Sequence, residues 1–261
     1  MKEVKESGGG IAAFFDLDKT LVAGPSLEWR FFQMLRYQGA IPAKNCFLWL
    51  REAVRLAPRG MPAMRYANKM YLRGVAIGAA ERRAEGISFF AGAVDRMTWH
   101  AKKSHKIVIV SGTLEILARG AAKQLEEQLE ARGLATEIHV CATRLQESAG
   151  KWTGQVIGAA MYGEAKLQAL RRMAEQEGFD LTRCYAYGDS AMDRWMLAAV
   201  GRPVAVNPSR ELVRFAQRRN WPTLHWGKRR KEESTQGTQR THELHQRRSG
   251  EREVAGLEMG T

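Results

Sequence analysis

The chain has 261 residues, 41 of them Lys or Arg and 28 Asp or Glu, for a formal net charge of +13; 44% are hydrophobic and 26% charged. This length and composition exclude a wholly disordered or fibrous chain and suit one large globular domain or a core with an insert. The charge favours anionic partners, whether phosphorylated metabolites, nucleic acid or acidic lipid surfaces.

Residues 1–10, MKEVKESGGG, read as a flexible arm without the apolar core of a signal peptide. Residues 11–18 form a continuous apolar run ending in acids, the pattern of a strand buried on both faces. From Ser26 to about residue 100 the texture turns helical and rich in Trp, Phe, Met and Arg. It includes SLEWRFFQMLRYQ, NCFLWLREAVRLA, MRYANKMYLRG and ISFFAGAVDRMTWHAKK, separated by Gly and Pro turn signals. KIVIVSG (106–112) is a second strand, followed by a helix with apolar residues at Leu114, Leu117, Ala121, Leu125 and Leu129. EIHVCAT (137–143) predicts a third strand, and ESAGKWTGQVI (147–157) a hairpin-like excursion. A helix over 163–178 follows, then the strand CYAYGDS (184–190), another helix, and the strand PVAVNP (203–208).

This alternation predicts an α/β fold: a Rossmann-like parallel sheet covered by helices, with a helical cap inserted after the first strand. The expected domains are a core of 11–25 and 101–226, a cap of 26–100 and a disordered basic tail of 227–261. No stretch has the ~18 uninterrupted apolar residues of a membrane span. Cys46, Cys141 and Cys184 lie far apart with no CxxC pair, so reduced thiols and a cytoplasmic protein are expected.

Chemistry-bearing residues cluster where strands should end, the place where parallel sheets bind ligands. Asp16 and Asp18 close the first strand two residues apart and share one side of it, with Thr20 just beyond. Like charges so placed repel unless a cation or proton intervenes, and Mg²⁺ suits one or two such carboxylates together with phosphate oxygens. One acid can attack phosphorus while the other handles protons. Ser111 and Gly112, followed by Thr113, offer a hydroxyl, an unhindered backbone and a helix start to an anion. Lys166 sits in the first turn of its helix, where it opposes the helix dipole unless it meets an anion. Asp189 follows Gly188 at a strand end, and Asp193 comes one helical turn later.

The order FFDLDKT, VSGT, Lys166, GDSAMD resembles the four motifs of the haloacid dehalogenase (HAD) superfamily. The helical insert after the first motif resembles its phosphoserine-phosphatase-like branch, subclass IB. The resemblance covers about residues 11–226 and implies Mg²⁺-dependent hydrolysis of a small phosphorylated metabolite through an aspartyl-phosphate. By position it implies Asp16 as nucleophile and Asp18 as general acid/base, with Ser111, Gly112 and Lys166 binding phosphate. Asp16, the Asp18 backbone carbonyl and Asp189 would hold the metal, with Thr20 and Asp193 in support. Two positions depart from the pattern. Met192 stands where many relatives carry Asn, and Pro25 where phosphoserine phosphatases place the Glu that grips the substrate amine; Glu28 is the nearby substitute.

The range 26–100 holds 12 Lys or Arg and 5 Asp or Glu. Arg30 and Arg65 are candidates there for a second anionic group on the substrate, beside the alternative that they form the cap's solvated face around an aromatic core. A phosphotransferase of the same superfamily and a nucleic-acid-binding or end-processing protein are the alternative functions. The chain shows no RNP pattern, zinc finger or recognition helix, so nucleic acid is not the expected partner. His242 and His245 read as tail residues.

Overall fold

A computed structural model describes residues 9–81 and 86–227. The expected flexible arm, apart from its last two glycines, and the expected tail beyond Gly227, with His242 and His245, lie outside the described residues. Gly10 is docked: its N–H donates to the Gly178 carbonyl at 3.0 Å and its own carbonyl accepts from Asp180 N at 3.0 Å.

In chain order the strands are β1 (Ala12–Phe15), β2 (Lys106–Leu114), β3 (Ile138–Thr143), β4 (Leu145–Ser148), β5 (Lys151–Val156), β6 (Tyr185–Gly188), β7 (Arg202–Val206) and β8 (Thr223–Leu224). The helices are α1 (Leu27–Tyr37), α2 (Lys44–Leu56), α3 (Met61–Tyr66), α4 (Gly78–Glu81), α5 (Ala91–Lys102), α6 (Glu115–Glu130), α7 (Glu164–Glu177), α8 (Arg194–Ala198) and α9 (Arg210–Arg218). Six strands form one sheet in the order β3-β2-β1-β6-β7-β8, every adjacent pair parallel. The expected Rossmann-like sheet is therefore present.

Because side chains alternate across a strand, β1 feeds two apolar layers. Ala13 and Phe15 join a cluster with Leu117 and Leu125 of α6 and Met97 of α5. Ala12 and Phe14 face the opposite layer, with Leu170 of α7, Leu197 of α8 and Leu212 of α9. All four β1 residues are wholly buried, which explains its unbroken apolar run.

The insert differs from expectation in two respects. MRYANKMYLRG is not one helix: α3 stops at Tyr66 and a single 3₁₀ turn covers Met70–Leu72. Asn68 breaks it, its amide donating to the Trp49 carbonyl at 2.8 Å and its oxygen accepting from Met70 N at 3.3 Å, so the side chain competes with the helix ladder. The last part of the expected 26–100 range also behaves differently from the rest. Residues 87–90 are not helical, and α5 packs on the sheet, its His100 ring nitrogen 2.9 Å from the Tyr187 hydroxyl.

The β4–β5 hairpin belongs with the insert. Gly74 N donates to the Trp152 carbonyl at 2.8 Å, Trp152 N to the Val75 carbonyl at 3.0 Å, and Phe31 meets the Trp152 ring edge-on at 6.0 Å.

Candidate active site

Strand order reverses direction on either side of β1, with β2 leading outward one way and β6 the other. The crevice beyond the carboxyl ends of β1 and β6 is thus the switch point where such sheets bind ligands. Phe15 is in register with Tyr187 of β6 and with Ile109 of β2, so Asp16, Asp189 and Ser111 all emerge at this end.

Three of the expected residues meet through direct contacts, and a fourth, Asp189, lies close by. The Lys166 ammonium donates to Asp16 Oδ1 at 2.5 Å and to Asp193 Oδ1 at 2.6 Å, and all three side chains are buried. Asp193 Oδ2 accepts from Ser190 N at 2.9 Å and Ser190 Oγ at 2.8 Å, so both its oxygens are committed. Ser190 and Asp193 thus form a capping box. Among the described residues the Asp189 carboxylate has no hydrogen-bond or ion-pair partner. Carboxylate oxygens of Asp16, Asp189 and Asp193 lie within 4.8 Å of one another. Gly188 permits this crowding: a Cβ there would sit 2.6 Å from Asp193 Cβ.

The electrostatics follow from that packing. Burial pushes the Asp189 pKa up to about 9, with the Asp16 and Asp193 charges adding to it. Burial raises Asp16 to about 7 against the pull of Lys166. Lys166 is itself drawn down by burial, but its two carboxylates more than reverse this and hold it charged. A buried trio of acids with only one ammonium is short of positive charge. The member of the trio without a partner, Asp189, fits a hard divalent cation such as Mg²⁺.

Asp18 stands apart from that trio. Its Oδ1 accepts from Leu27 N at 2.8 Å, so its carboxylate anchors the amino end of α1. Burial raises its pKa to about 6, the Leu27 hydrogen bond opposing. Among the described residues the buried hydroxyls of Thr20 and Thr113 have no hydrogen-bond partner. Ser111 Oγ accepts from Thr113 N at 3.2 Å. Gly112 lies where the β2–β3 register shifts; its carbonyl accepts from Thr143 Oγ1 at 2.9 Å, and a Cβ would sit 3.3 Å from the Met161 carbonyl.

Of the two insert arginines, Arg30 donates to the Ala23 carbonyl and is close enough to lower the Asp18 pKa slightly. Arg65 is exposed, its guanidinium 5.5 Å over the Tyr66 ring. It is Tyr66 that enters the crevice. Its ring would touch a Cβ on Gly112 at 3.5 Å, it stacks on Tyr162 at 5.1 Å, and the charges of Asp193, Lys166 and Asp16 all act on it. Sequence reasoning missed Tyr66, and nothing in MPAMRY separates it from the neighbouring aromatics.

A second missed feature is the pairing of buried Lys69 with half-buried Glu28. The Lys69 ammonium and the Tyr71 hydroxyl both donate to Glu28 Oε1, the latter at 2.6 Å. Glu28 Oε1 is thereby engaged by both Lys69 and Tyr71. Lys69 follows Glu28 by 41 residues, a pairing no local pattern announces.

The profile of the haloacid dehalogenase-like hydrolases matches residues 13–198. The chain belongs to this family. The hydrolase is 34% identical over 236 residues to the inhibition of morphological differentiation protein of Streptomyces azureus, covering 82% of this chain and 77% of that one. It is 28% identical over 225 residues to phosphoserine phosphatase SerB1 of Mycobacterium tuberculosis, covering 80% and 69% respectively. Its fold resembles that of a phosphoserine phosphatase solved as a phospho-aspartyl intermediate analogue. There the TM-score is 0.57 and the identity 21%, over 84% of this chain and 95% of that one.

Proposed function

We propose that this hydrolase is a Mg²⁺-dependent phosphatase that cleaves a small phosphomonoester through an aspartyl-phosphate on Asp16. The observation that carries the reading is the chain Asp16–Lys166–Asp193, buried at a switch point with the unpartnered Asp189 beside it. Relatives named as phosphatases and the likeness to a phosphoserine phosphatase support it.

Asp16 is aimed by Lys166 and attacks phosphorus; its oxygen bonds as the ester P–O bond breaks. Asp18, with its pKa raised to about 6, retains a protonated fraction near neutrality and gives that proton to the leaving oxygen. It then takes a proton from the water that cleaves the acyl phosphate, which releases inorganic phosphate and restores Asp16. Ser111, the Gly112 backbone and the Lys166 ammonium hold the phosphoryl oxygens while charge builds on them. Asp16, the Asp18 carbonyl and Asp189 would hold Mg²⁺, with Thr20 and Asp193 bracing them, and the ion when bound supplies charge neutralisation at the phosphate. Because Pro25 offers no charge, the substrate is a phosphomonoester that needs no ammonium grip at that position.

The test is hydrolysis of an aryl phosphate by the full chain. Asp16→Asn lowers kcat by about three orders of magnitude or more, and EDTA abolishes turnover until Mg²⁺ is restored. Undiminished turnover by the Asn variant would refute the reading.

A further inference from the structure

Helix α2 turns its better-packed face inward, burying Asn45, Ala53 and Leu56. Asn45 fixes that face by donating to the Tyr71 and Arg73 carbonyls at 3.0 and 2.7 Å. Its outward face is apolar all the same: Phe47 is 67% exposed, Leu50 57% and Val54 69%. At 100° per residue these three and the exposed Cys46 fall within an arc of about 100°. About 40° beyond Phe47, the same projection gathers Arg51, Lys44 and Arg55 into a narrow row. Met61, at 72% exposure, extends the apolar surface past the end of the helix, and exposed Arg59 extends the basic one.

Over residues 36–66 there are six basic side chains and a single acid, Glu52, which is held by Arg55 at 2.5 Å. Lys44, Arg51 and Arg59 have no acid within ion-pair distance among the described residues. An apolar strip bordered on one side by unpaired cations is the arrangement of a helix lying in a membrane interface. There the strip enters the acyl boundary and the cations meet anionic headgroups. Nucleic acid would satisfy the cations but leave Phe47, Leu50 and Val54 in water. A second copy would cover the apolar strip but leave Lys44, Arg51 and Arg59 without an anionic partner, since the only acid over residues 36–66 is Glu52, already held by Arg55.

We infer that the outward face of α2 docks the protein on an anionic lipid bilayer. No helix among the described residues is long and apolar enough to cross a membrane, so this contact is peripheral. It is separate from the catalytic crevice and does not depend on the phosphatase reading.

The experiment is co-sedimentation of the full chain with vesicles of phosphatidylglycerol and phosphatidylcholine, or of phosphatidylcholine alone. Cys141→Ser protein carrying an environment-sensitive fluorophore on Cys46 reports the contact at α2 itself. Binding to the anionic vesicles with a blue-shifted Cys46 signal is expected. The variant Phe47→Ser/Leu50→Ser/Val54→Ser is expected to lose about tenfold or more in partitioning, and Lys44→Glu/Arg51→Glu to lose it as well. Both keep the parent's circular dichroism and thermal melt, which shows that they fold. The inference is overturned if the serine variant binds as the parent does, or if vesicles bind without changing the Cys46 signal, which assigns binding to another basic segment. It is overturned equally if the parent ignores vesicles but elutes as a dimer that the serine variant converts to monomer.

Discussion

Lys166 bridges two carboxylates while having almost no contact with solvent. Removing either partner of such a buried pair would strand a charge, so the lysine fixes Asp16 and Asp193 relative to each other as well as binding anions. A buried polar group with a different role is His100, on the sheet's other face. Its Nδ1 lies 2.8 Å from His105 Nδ1 and its Nε2 bonds the Tyr187 hydroxyl. Burial lowers its pKa to about 3, with the charges of His105 and Arg96 adding to that. The unfolded chain therefore binds a proton near pH 6.5 that the folded chain refuses. Stability attributable to His100 is intact above that pH and lost as pH falls towards 3, by about 1.4 kcal/mol per pH unit. Denaturant titrations between pH 7 and 4 should show a shallower loss for His100→Gln than for the parent; parallel slopes would remove His100 from the account. Asp16, Asp18 and Asp189 were legible in the sequence because each ends or follows an apolar run that has no other reason to stop at an acid. Lys166 was legible only as a cation misplaced in the first turn of its helix; that it is buried between two carboxylates, one of them 150 residues away, no local pattern shows. Tyr66 and the Lys69–Glu28 pair were hidden for a further reason: the insert must fold back before they meet.

At the scale of elements, the turn after β6 is the tightest junction in the site. Gly188 lies against Asp193, whose two oxygens hold the Ser190 cap and Lys166. In Gly188→Ala the new methyl displaces Asp193, and Lys166 shifts with it. We expect a stability loss of about 1–3 kcal/mol and a fall in kcat on the order of a hundredfold, larger than the change in KM. Steady-state kinetics and a thermal melt on the same preparation check both, and parental kcat in the alanine variant would contradict the geometry. The strands through β7 were readable as short apolar runs between turn signals and lie within a few residues of expectation, whereas β8 (Thr223–Leu224), two residues long, was not expected. MRYANKMYLRG was misread because Asn68 satisfies backbone groups with its side chain, and helical spacing does not register that competition. The α5 segment was given to the insert because its texture matches the helices before it, although its inner face serves the sheet.

At the scale of the whole molecule, the sheet order brings together residues that the chain keeps 150 positions apart, as Lys166 and Asp16 are. The Asp18 carboxylate holds the first turn of α1, so that helix is built directly onto the site. The hairpin of β4 and β5 secures the insert from the other side. Such a layout suits a crevice that accepts a small phosphorylated group and excludes bulk water while an acyl phosphate exists. The most direct measurement is acid quench of the full chain during turnover of a phosphomonoester with Mg²⁺, followed by peptide mass spectrometry. The account predicts a phosphoryl group on Asp16 that disappears in Asp16→Asn; a phosphoryl group on any other residue, or continued turnover with Asp16 never modified, would contradict it.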